Sequence, residues 1–363
     1  MHFSLAPWRT LFRPSFRLSL RPSRRVICQL ACLAAALAAP PGNAQEKTLN
    51  LYSARHYQTD EALYANFTRS TGIRINRIEA GDEQIVERLR TEGANSPADV
   101  ILLVDAARLF NAQALGLFAP VKSAILESRV PAELRDPQGH WFGFSTRARV
   151  IVYNKVSVRR EDVASYAALA DPRLRGKVCT RSGSHPYMLS LVAAVAEHEG
   201  EAKAAQWAAG VVANFARKPA GGDTDQIKSV AAGECGVALT NTYYWVRLLK
   251  STRPDEQEMV KKVGMVWPDQ AGYGAHVNVS GGGMAKNAPN RDAALKFLEY
   301  LAGDAAQAYF ADGNNEWPVV KGVKVKNPEL DSLGAFKMDA IGPAAFSKNM
   351  PLAQRIVDRA GWK

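Results

Sequence analysis

Three places in the chain combine tyrosine with histidine or with a second tyrosine, directly after a segment patterned like a buried strand. The residues concerned are His56 and Tyr57, His185 and Tyr187, and Tyr243 and Tyr244. Residues that follow the carboxyl ends of strands in an open α/β sheet line the crevice where such folds bind ligands. One pair of this kind would be read as ordinary packed aromatics, but three such places favour a shared crevice.

Phenol oxygens together with an imidazole are a donor set for a hard metal ion. Tyrosine has a pKa of about 10 and becomes a ligand when a strong Lewis acid displaces its proton. Hard oxygen donors suit hard ions, and ferric iron is the hardest common biological metal that favours several phenolates. Calcium and magnesium prefer carboxylates and carbonyls, which the three turns do not offer. Four phenolates around Fe³⁺ leave a net negative charge, and Arg55, Arg147 and Arg181 adjoin the turns as candidate compensating cations.

The segments that must position these residues alternate between strand and helix patterns. Strand patterns at 48–53, 72–78 and 99–104 are each followed by a helix pattern, which predicts a parallel α/β sheet. The extended stretch 141–154 predicts a crossing into a second lobe that repeats this alternation, and 276–280 predicts the return crossing. The predicted fold class is therefore α/β, with two lobes of parallel-type sheets joined by a two-strand hinge.

Residues 1–44 have the composition of a secretory signal. They contain six arginines and no acidic residue, then a short apolar run, and they end in Gly42-Asn43-Ala44. Arg24 and Arg25 also fit a twin-arginine motif, so both export routes stay open and a periplasmic location is expected. Much of the formal net charge of +11 belongs to this segment. Because the remainder shows no dense basic stripe, no nucleic-acid partner is expected.

The mature part of the chain keeps two of the four cysteines, Cys179 and Cys235. An even pair in an exported protein predicts a disulfide bond. Cys179 lies eight residues before Tyr187, and Cys235 lies eight before Tyr243. The two cysteines are therefore expected at matching heights on strands that lead to the same crevice.

Five segments resemble the periplasmic ferric-iron-binding proteins of ABC transporters: SARHYQTDEALYANFTRSTG, SPADVILLVDAARL, GFSTRARVIVYN, RSGSHPYMLSLVA and GECGVALTNTYYW. The combination of HY with NTYY is most similar to the cyanobacterial-type members that use one histidine and four tyrosines. The resemblance implies a type II periplasmic binding protein fold and the iron ligands His56, Tyr57, Tyr187, Tyr243 and Tyr244. His185 could be a bystander or could compete for the metal. In some relatives a synergistic anion such as carbonate also binds the metal and is held by an arginine. Arg147 is expected either to contact such an anion or to support the metal ligands without touching the metal.

The expected organisation follows from these segments. Residues 1–44 form the signal peptide, 45–148 and 278–316 form lobe one, 149–277 form lobe two, and 317–363 pack on lobe two. The expected function is capture of ferric iron in the periplasm and delivery to the membrane permease of an ABC transporter. The protein is expected to be a monomer. No catalytic turnover is expected, because no nucleophile and base are arranged in the pattern of a triad.

Two other interpretations stay open at this stage. The tyrosines could form an aromatic cage for an organic cation or polyamine. An iron enzyme with tyrosinate ligands would need an open coordination position and a substrate pocket. Colour separates the first from iron binding, because tyrosinate–iron(III) absorbs visible light, and turnover of a substrate would favour the enzyme.

Overall fold

A thirteen-residue strand, Phe142–Asn154, connects the sheet architecture. The structure is a computed structural model that describes residues 47–363 except positions 56 and 58. Its strands are β1 Thr48–Ser53, β2 Arg74–Glu79, β3 Val100–Leu103, β4 Phe118–Ala119, β5 Phe142–Asn154, β6 Val178–Cys179, β7 Val237–Asn241, β8 Val263–Val266, β9 Val277–Ala285 and β10 Trp317–Pro318. The main strand order is β2-β1-β3-β9-β5-β7-β6, with β10 and β8 pairing with β5 and β4 pairing with β9.

The helices cover these strands and fill the intervals between them. They are α1 Asp60–Thr71, α2 Asp82–Glu92, α3 Ala106–Ala114, α4 Ala124–Arg129, α5 Pro186–Glu199, α6 Glu201–Ala213, α7 Asp223–Ala232, α8 Thr242–Leu249, α9 Pro254–Lys262, α10 Arg291–Leu301, α11 Asp304–Asp312, α12 Pro328–Asp331, α13 Pro343–Ser347 and α14 Met350–Ala360. Within the described ranges, none of these helices is long and apolar enough to cross a membrane. The predicted signal segment, 1–44, lies outside the described residues.

The central strand β5 changes its partners part-way along its length. From Phe142 to Ala148 it pairs with β9, and from Arg149 onward it pairs with β7 and, nearer its end, with β8. Each half of β5 therefore belongs to a different group of strands. The change lies where the sequence predicts the first crossing, and the exact lobe limits stay a prediction.

Strand direction is parallel where strands alternate with helices and antiparallel at the connecting strands. β1 is parallel to β2 and β3, and β6 is parallel to β7, as the alternation predicts. β5 and β9 run antiparallel to the strands beside them, so the whole sheet is mixed. Two parallel strands need a crossover connection between them, which the helices provide. β5 and β9 instead connect the two groups of strands, β5 in one direction and β9 in the other.

The glycine run after the predicted return crossing belongs to the interior of β9. A Cβ atom at Gly282 would lie 2.2 Å from the carbonyl oxygen of Ile101, and one at Gly281 would lie 2.3 Å from that of Phe142. The backbones of β3 and β5 thus press on β9 from both sides. These glycines permit that close approach, which is why the strand continues through them.

The predicted disulfide is present. Cys179 at the end of β6 and Cys235 just before β7 are bonded, and their Cα atoms lie 5.9 Å apart. Both cysteines are buried. The bond joins the two parallel strands that lead to Tyr187 and to the tyrosine pair.

Candidate metal centre

The tyrosine pair lies in the first turn of α8. The sequence predicts a turn between strand and helix at this point, but α8 begins at Thr242, directly after β7 ends at Asn241. Consecutive helical side chains diverge by about 100°. The rings of Tyr243 and Tyr244 nevertheless have centroids only 4.3 Å apart, with an angle of 34° between their planes.

Tyr187 occupies the first turn of α5 and is held there by the capping residue. Pro186 is the first helical residue, a position where its missing N–H costs nothing. The backbone N–H of Tyr187 donates to Nδ1 of His185 over 3.2 Å, so this imidazole caps the helix. Burial, followed by the positive charge of Arg181, lowers the pKa of His185 to about 3. The ring is therefore neutral at pH 7.

Four predicted tyrosines come together from three separate segments. The hydroxyl oxygens of Tyr187 and Tyr243 lie 3.1 Å apart, and the ring of Tyr57 packs edge-on against Tyr243 with centroids 5.5 Å apart. Tyr57, Tyr187 and Tyr244 line a crevice with a volume of about 820 Å³. His56 lies outside the described residues, so its role stays a prediction. Within the described ranges no cluster of three histidine, cysteine or acidic residues could hold a metal.

Three tyrosines of this cluster hold their protons while no metal is bound. Burial raises the pKa of Tyr57, Tyr187 and Tyr243 above the ordinary value of tyrosine. For Tyr57 the carboxylate of Glu316 is the next largest cause. A ligand that binds these oxygens as phenolates must therefore displace their protons.

Guanidinium groups surround the tyrosine cluster. Their central carbon atoms lie 4.7 to 5.9 Å from a ring centroid, with Arg55 at Tyr57 and with Arg147, Arg149 and Arg181 at Tyr187. These guanidinium groups already lie over the rings of Tyr57 and Tyr187, where an aromatic cage would hold an organic cation. The same groups favour phenolates, whose charge they offset. The aromatic-cage interpretation is therefore disfavoured.

Each of these arginines is paired with a buried carboxylate. Arg55 pairs with Asp60 and Glu316, Arg147 with Asp105, and Arg149 and Arg181 both with Asp223, at nitrogen–oxygen distances of 2.6 to 3.8 Å. Four guanidinium groups thus face four carboxylates. The surroundings of the tyrosines are close to neutral overall, so a bound ion is compensated chiefly by its own ligands.

Arg147 is buried and its donors are already engaged. It donates to the carbonyl oxygen of Val104 and, over 3.3 Å, to Oγ of Ser280, and only 2% of its surface is exposed. Arg181 instead lines the crevice. In the described part of the chain, the Nε atom of Arg181 is buried without a hydrogen-bond partner.

Sequence reasoning missed two carboxylates that organise the centre. Glu316 is fully buried and accepts hydrogen bonds from the hydroxyls of Tyr57, at 3.1 Å, and Ser145, at 2.8 Å. Asp223 accepts from Arg149 and from the backbone N–H of Asn241. The available signal was weak: Glu316 stands alone after two asparagines, and Asp223 opens a helix that the prediction omitted.

The fold and the crevice together define a periplasmic binding protein of type II. Bacterial extracellular solute-binding proteins match residues 95–339, and the chain belongs to this family. Iron uptake protein A1 of Synechocystis sp. is 49% identical over 90% of each chain. The structure of Trichodesmium FutA (IdiA) with iron and citrate ligands has a TM-score of 0.81 at 49% identity, covering 87% of this chain and all of that one. The ferric binding protein of Campylobacter jejuni has a TM-score of 0.83 at 38% identity, covering 87% and 100%. These similarities confirm the predicted fold class and the predicted family resemblance.

Proposed function

We propose that this protein captures ferric iron in the periplasm and delivers it to the permease of an ABC transporter. Tyr57, Tyr187, Tyr243 and Tyr244 would supply phenolate ligands, with His56 as the imidazole ligand. The observation that carries the proposal is the convergence of four tyrosines from three separate segments at one crevice, which three of them line. The names of the relatives support it, since they are iron-uptake or ferric-iron-binding proteins.

Binding would proceed by exchange of protons for iron. The buried phenols hold their protons in the iron-free protein, and Fe³⁺ is a Lewis acid strong enough to displace them. Arg147, Arg149 and Arg181 lie beside Tyr187 and would stabilise its phenolate form. For Arg147 we propose this charge stabilisation and not direct contact with an anion, because its N–H donors are already bonded inside the protein.

A synergistic anion would contact Arg181. This side chain lines the crevice and has an unpartnered Nε–H group within the described part of the chain. The Trichodesmium relative holds citrate together with iron, so carbonate or a carboxylate is the class of anion expected. His185 caps its helix through Nδ1, which leaves Nε2 as the nitrogen that could still compete for the metal.

The protein would act as a monomer that binds and releases its cargo without catalytic turnover. Residues 1–44 would direct the chain to the periplasm and then be removed. The relatives named above are binding and uptake proteins, which supports a transport function over an enzymatic one.

Metal analysis and a visible spectrum of freshly isolated periplasmic protein test this proposal. We expect one iron per chain and a broad tyrosinate–iron(III) band. Colourless protein that fails to take up ferric iron would refute the proposed function. Iron-loaded protein that turned over a substrate would instead favour the enzyme interpretation.

A further inference from the structure

A second cavity, of about 600 Å³, lies between the C-terminal half of α5, helix α6 and the loop that precedes β9. His198 on α5 lines it and stands eleven residues, about 16 Å along the helix, after Tyr187, whereas Leu191 lines it one turn after Tyr187. Leu191, Val195 and Trp207 give it apolar and aromatic walls. Its size and lining are those of a small-molecule site.

One wall carries a buried imidazole without hydrogen bonds. His276 is 3% exposed, and in the described part of the chain neither of its ring nitrogens has a hydrogen-bond partner. Burial, together with Arg147 and Arg149, lowers the pKa of His276 to about 3. The neutral ring therefore offers one donor and one acceptor. Buried polar groups in native proteins are nearly always hydrogen-bonded, so a polar ligand that reached this ring would supply a hydrogen bond that the protein does not.

The unbalanced charge of the cavity is negative. Glu199 pairs with Lys203 at 3.1 Å, and the carboxylate of Asp339 is hydrogen-bonded to Nε2 of His198 at 2.9 Å. Asp269, by contrast, forms no ion pair among the residues the structure describes, and its Oδ2 accepts one hydrogen bond, from the backbone N–H of Tyr166. Burial raises the pKa of this carboxyl above its usual value. An unpaired carboxylate in a partly apolar cavity is a site for a cation.

The backbone at Asp269 is also held in an unusual conformation. Its φ angle is 55°, in the left-handed region that residues with a side chain seldom adopt. Its backbone N–H donates to the carbonyl oxygen of Ala164, and its own carbonyl oxygen accepts from Gly272 and Gly274. The surrounding loop thus fixes the carboxylate in place before any ligand arrives.

We propose that this cavity is a second ligand site, which binds a small organic ammonium ion with an apolar body. The ammonium group pairs with the carboxylate of Asp269 and can donate to the unpartnered imidazole of His276. The apolar body packs against the side chains of Leu191, Val195 and Trp207. The site is distinct from the tyrosine cluster, where guanidinium groups already lie over the rings.

Calorimetric titration of the iron-free mature protein tests the site with hexylammonium and phenethylammonium as probes. The uncharged 2-phenylethanol and the anionic 3-phenylpropionate serve as charge controls. We expect saturable binding of at least one ammonium probe and at least roughly tenfold weaker binding of both controls.

Two variants locate the binding. Asp269→Asn keeps an oxygen for the N–H of Tyr166 and tolerates the left-handed backbone, but it removes the charge, so ammonium affinity should fall at least roughly tenfold. Val195→Phe fills the cavity from a partly buried position on its wall and should weaken the binding of every probe.

Two further measurements separate this site from the iron site. Tyr187→Phe should leave ammonium affinity unchanged, and Asp269→Asn should leave the visible iron band unchanged. Failure of this site and failure of the iron site are therefore distinguishable.

Several outcomes would overturn the proposal. They are the absence of saturable binding by both ammonium probes, equal binding of the neutral or anionic control, and unchanged affinity in Asp269→Asn with its unfolding transition preserved. Loss of ammonium binding in Tyr187→Phe would place the cation in the crevice and would also contradict the proposal.

Discussion

At the scale of single residues, the chemistry of the crevice depends on where protons and charges are held. Burial keeps Tyr57, Tyr187 and Tyr243 protonated in the absence of metal. The phenolate form of these tyrosines becomes stable only when a trivalent ion binds, because the positive charge of the neighbouring arginines is already balanced by carboxylates. The site should therefore discriminate against ions too weak to displace a phenol proton.

Iron uptake should release protons. The pKa values of these three phenols are raised in the iron-free protein, so they are protonated at pH 7 and each loses its proton on coordination. We expect about three or more protons released per iron, and an affinity that falls as the pH is lowered. Calorimetry in buffers of different ionisation enthalpy measures the number, after correction for the released chelator. Iron uptake without net proton release would show that the phenols are not ligands.

Substitution of Glu316 should make iron binding more resistant to acid. Glu316→Gln keeps one oxygen, which can accept from the hydroxyl of Tyr57, and its amide can donate to the hydroxyl oxygen of Ser145, but it removes a negative charge that raises the pKa of Tyr57. Tyr57 then loses its proton more readily. The midpoint pH of iron loss should shift downward by roughly half a unit, since one of several exchanged protons is affected. The exposed Glu258→Gln is the matched control and should give no shift, whereas an upward shift in Glu316→Gln would contradict the assigned role of Tyr57.

At the scale of elements, the sequence predicts the strands and helices well where they alternate regularly. β3 is a continuous apolar run, and β1 buries the alternating residues Leu49 and Leu51. The apolar face with Leu63 and Phe67 predicts a helix over 60–71, and α1 has these limits in the structure. Position within an element is less predictable. Tyr187 and the tyrosine pair lie in first helical turns rather than in loops, because Pro186 and Thr242 begin their helices earlier than periodicity indicates.

Residues that depend on long-range pairing were beyond the reach of sequence patterns. Glu316 meets Tyr57 across 259 positions, and Asp223 meets Arg149 across 74. The sequence around one residue of such a pair does not predict the other residue, because local propensity depends only on neighbours along the chain. The tyrosines were predictable because each stands at the end of a recognisable strand and carries unusual chemistry for that place.

The disulfide should contribute substantially to the stability of the elements that present Tyr187 and the tyrosine pair. Cys179 and Cys235 are separated by 56 positions, and closing a loop of that length stabilises by about 4 kcal/mol on the chain-entropy account. The double variant Cys179→Ala, Cys235→Ala should lose free energy of unfolding of this order in a urea titration, and wild-type protein under reducing conditions should behave similarly. A loss below about 1 kcal/mol would mean that the reduced chain is restrained in some other way.

At the scale of the whole molecule, the long strand β5 links the strands that carry Tyr57 to those that carry Tyr187, Tyr243 and Tyr244. It pairs with β9 before Ala148 and with β7 after it. A ligand held from both sides of this change of partner favours a closed arrangement through its higher affinity for that state.

Small-angle scattering should therefore detect closure on iron. We expect a smaller radius of gyration for the iron-loaded mature protein than for the iron-free protein. The double variant Tyr243→Phe, Tyr244→Phe, mixed with the same iron source, should keep the larger value. Identical scattering from iron-free and demonstrably iron-loaded wild-type protein would rule out closure upon binding.

The most direct test of the central claim is a ferric-iron titration of the Tyr243→Phe, Tyr244→Phe double variant, followed by its visible spectrum. Phenylalanine keeps the ring packing of the pair but removes both donor oxygens. We expect the tyrosinate band to disappear and the iron affinity to fall more than about a hundredfold, which is the upper range for residues that only support a metal ligand. Tyr300→Phe, which removes a hydroxyl bonded to the carbonyl of Leu63 away from the crevice, should retain both. Full colour and wild-type affinity in the double variant, with the fold intact by circular dichroism, would contradict the assignment of the tyrosine pair as iron ligands.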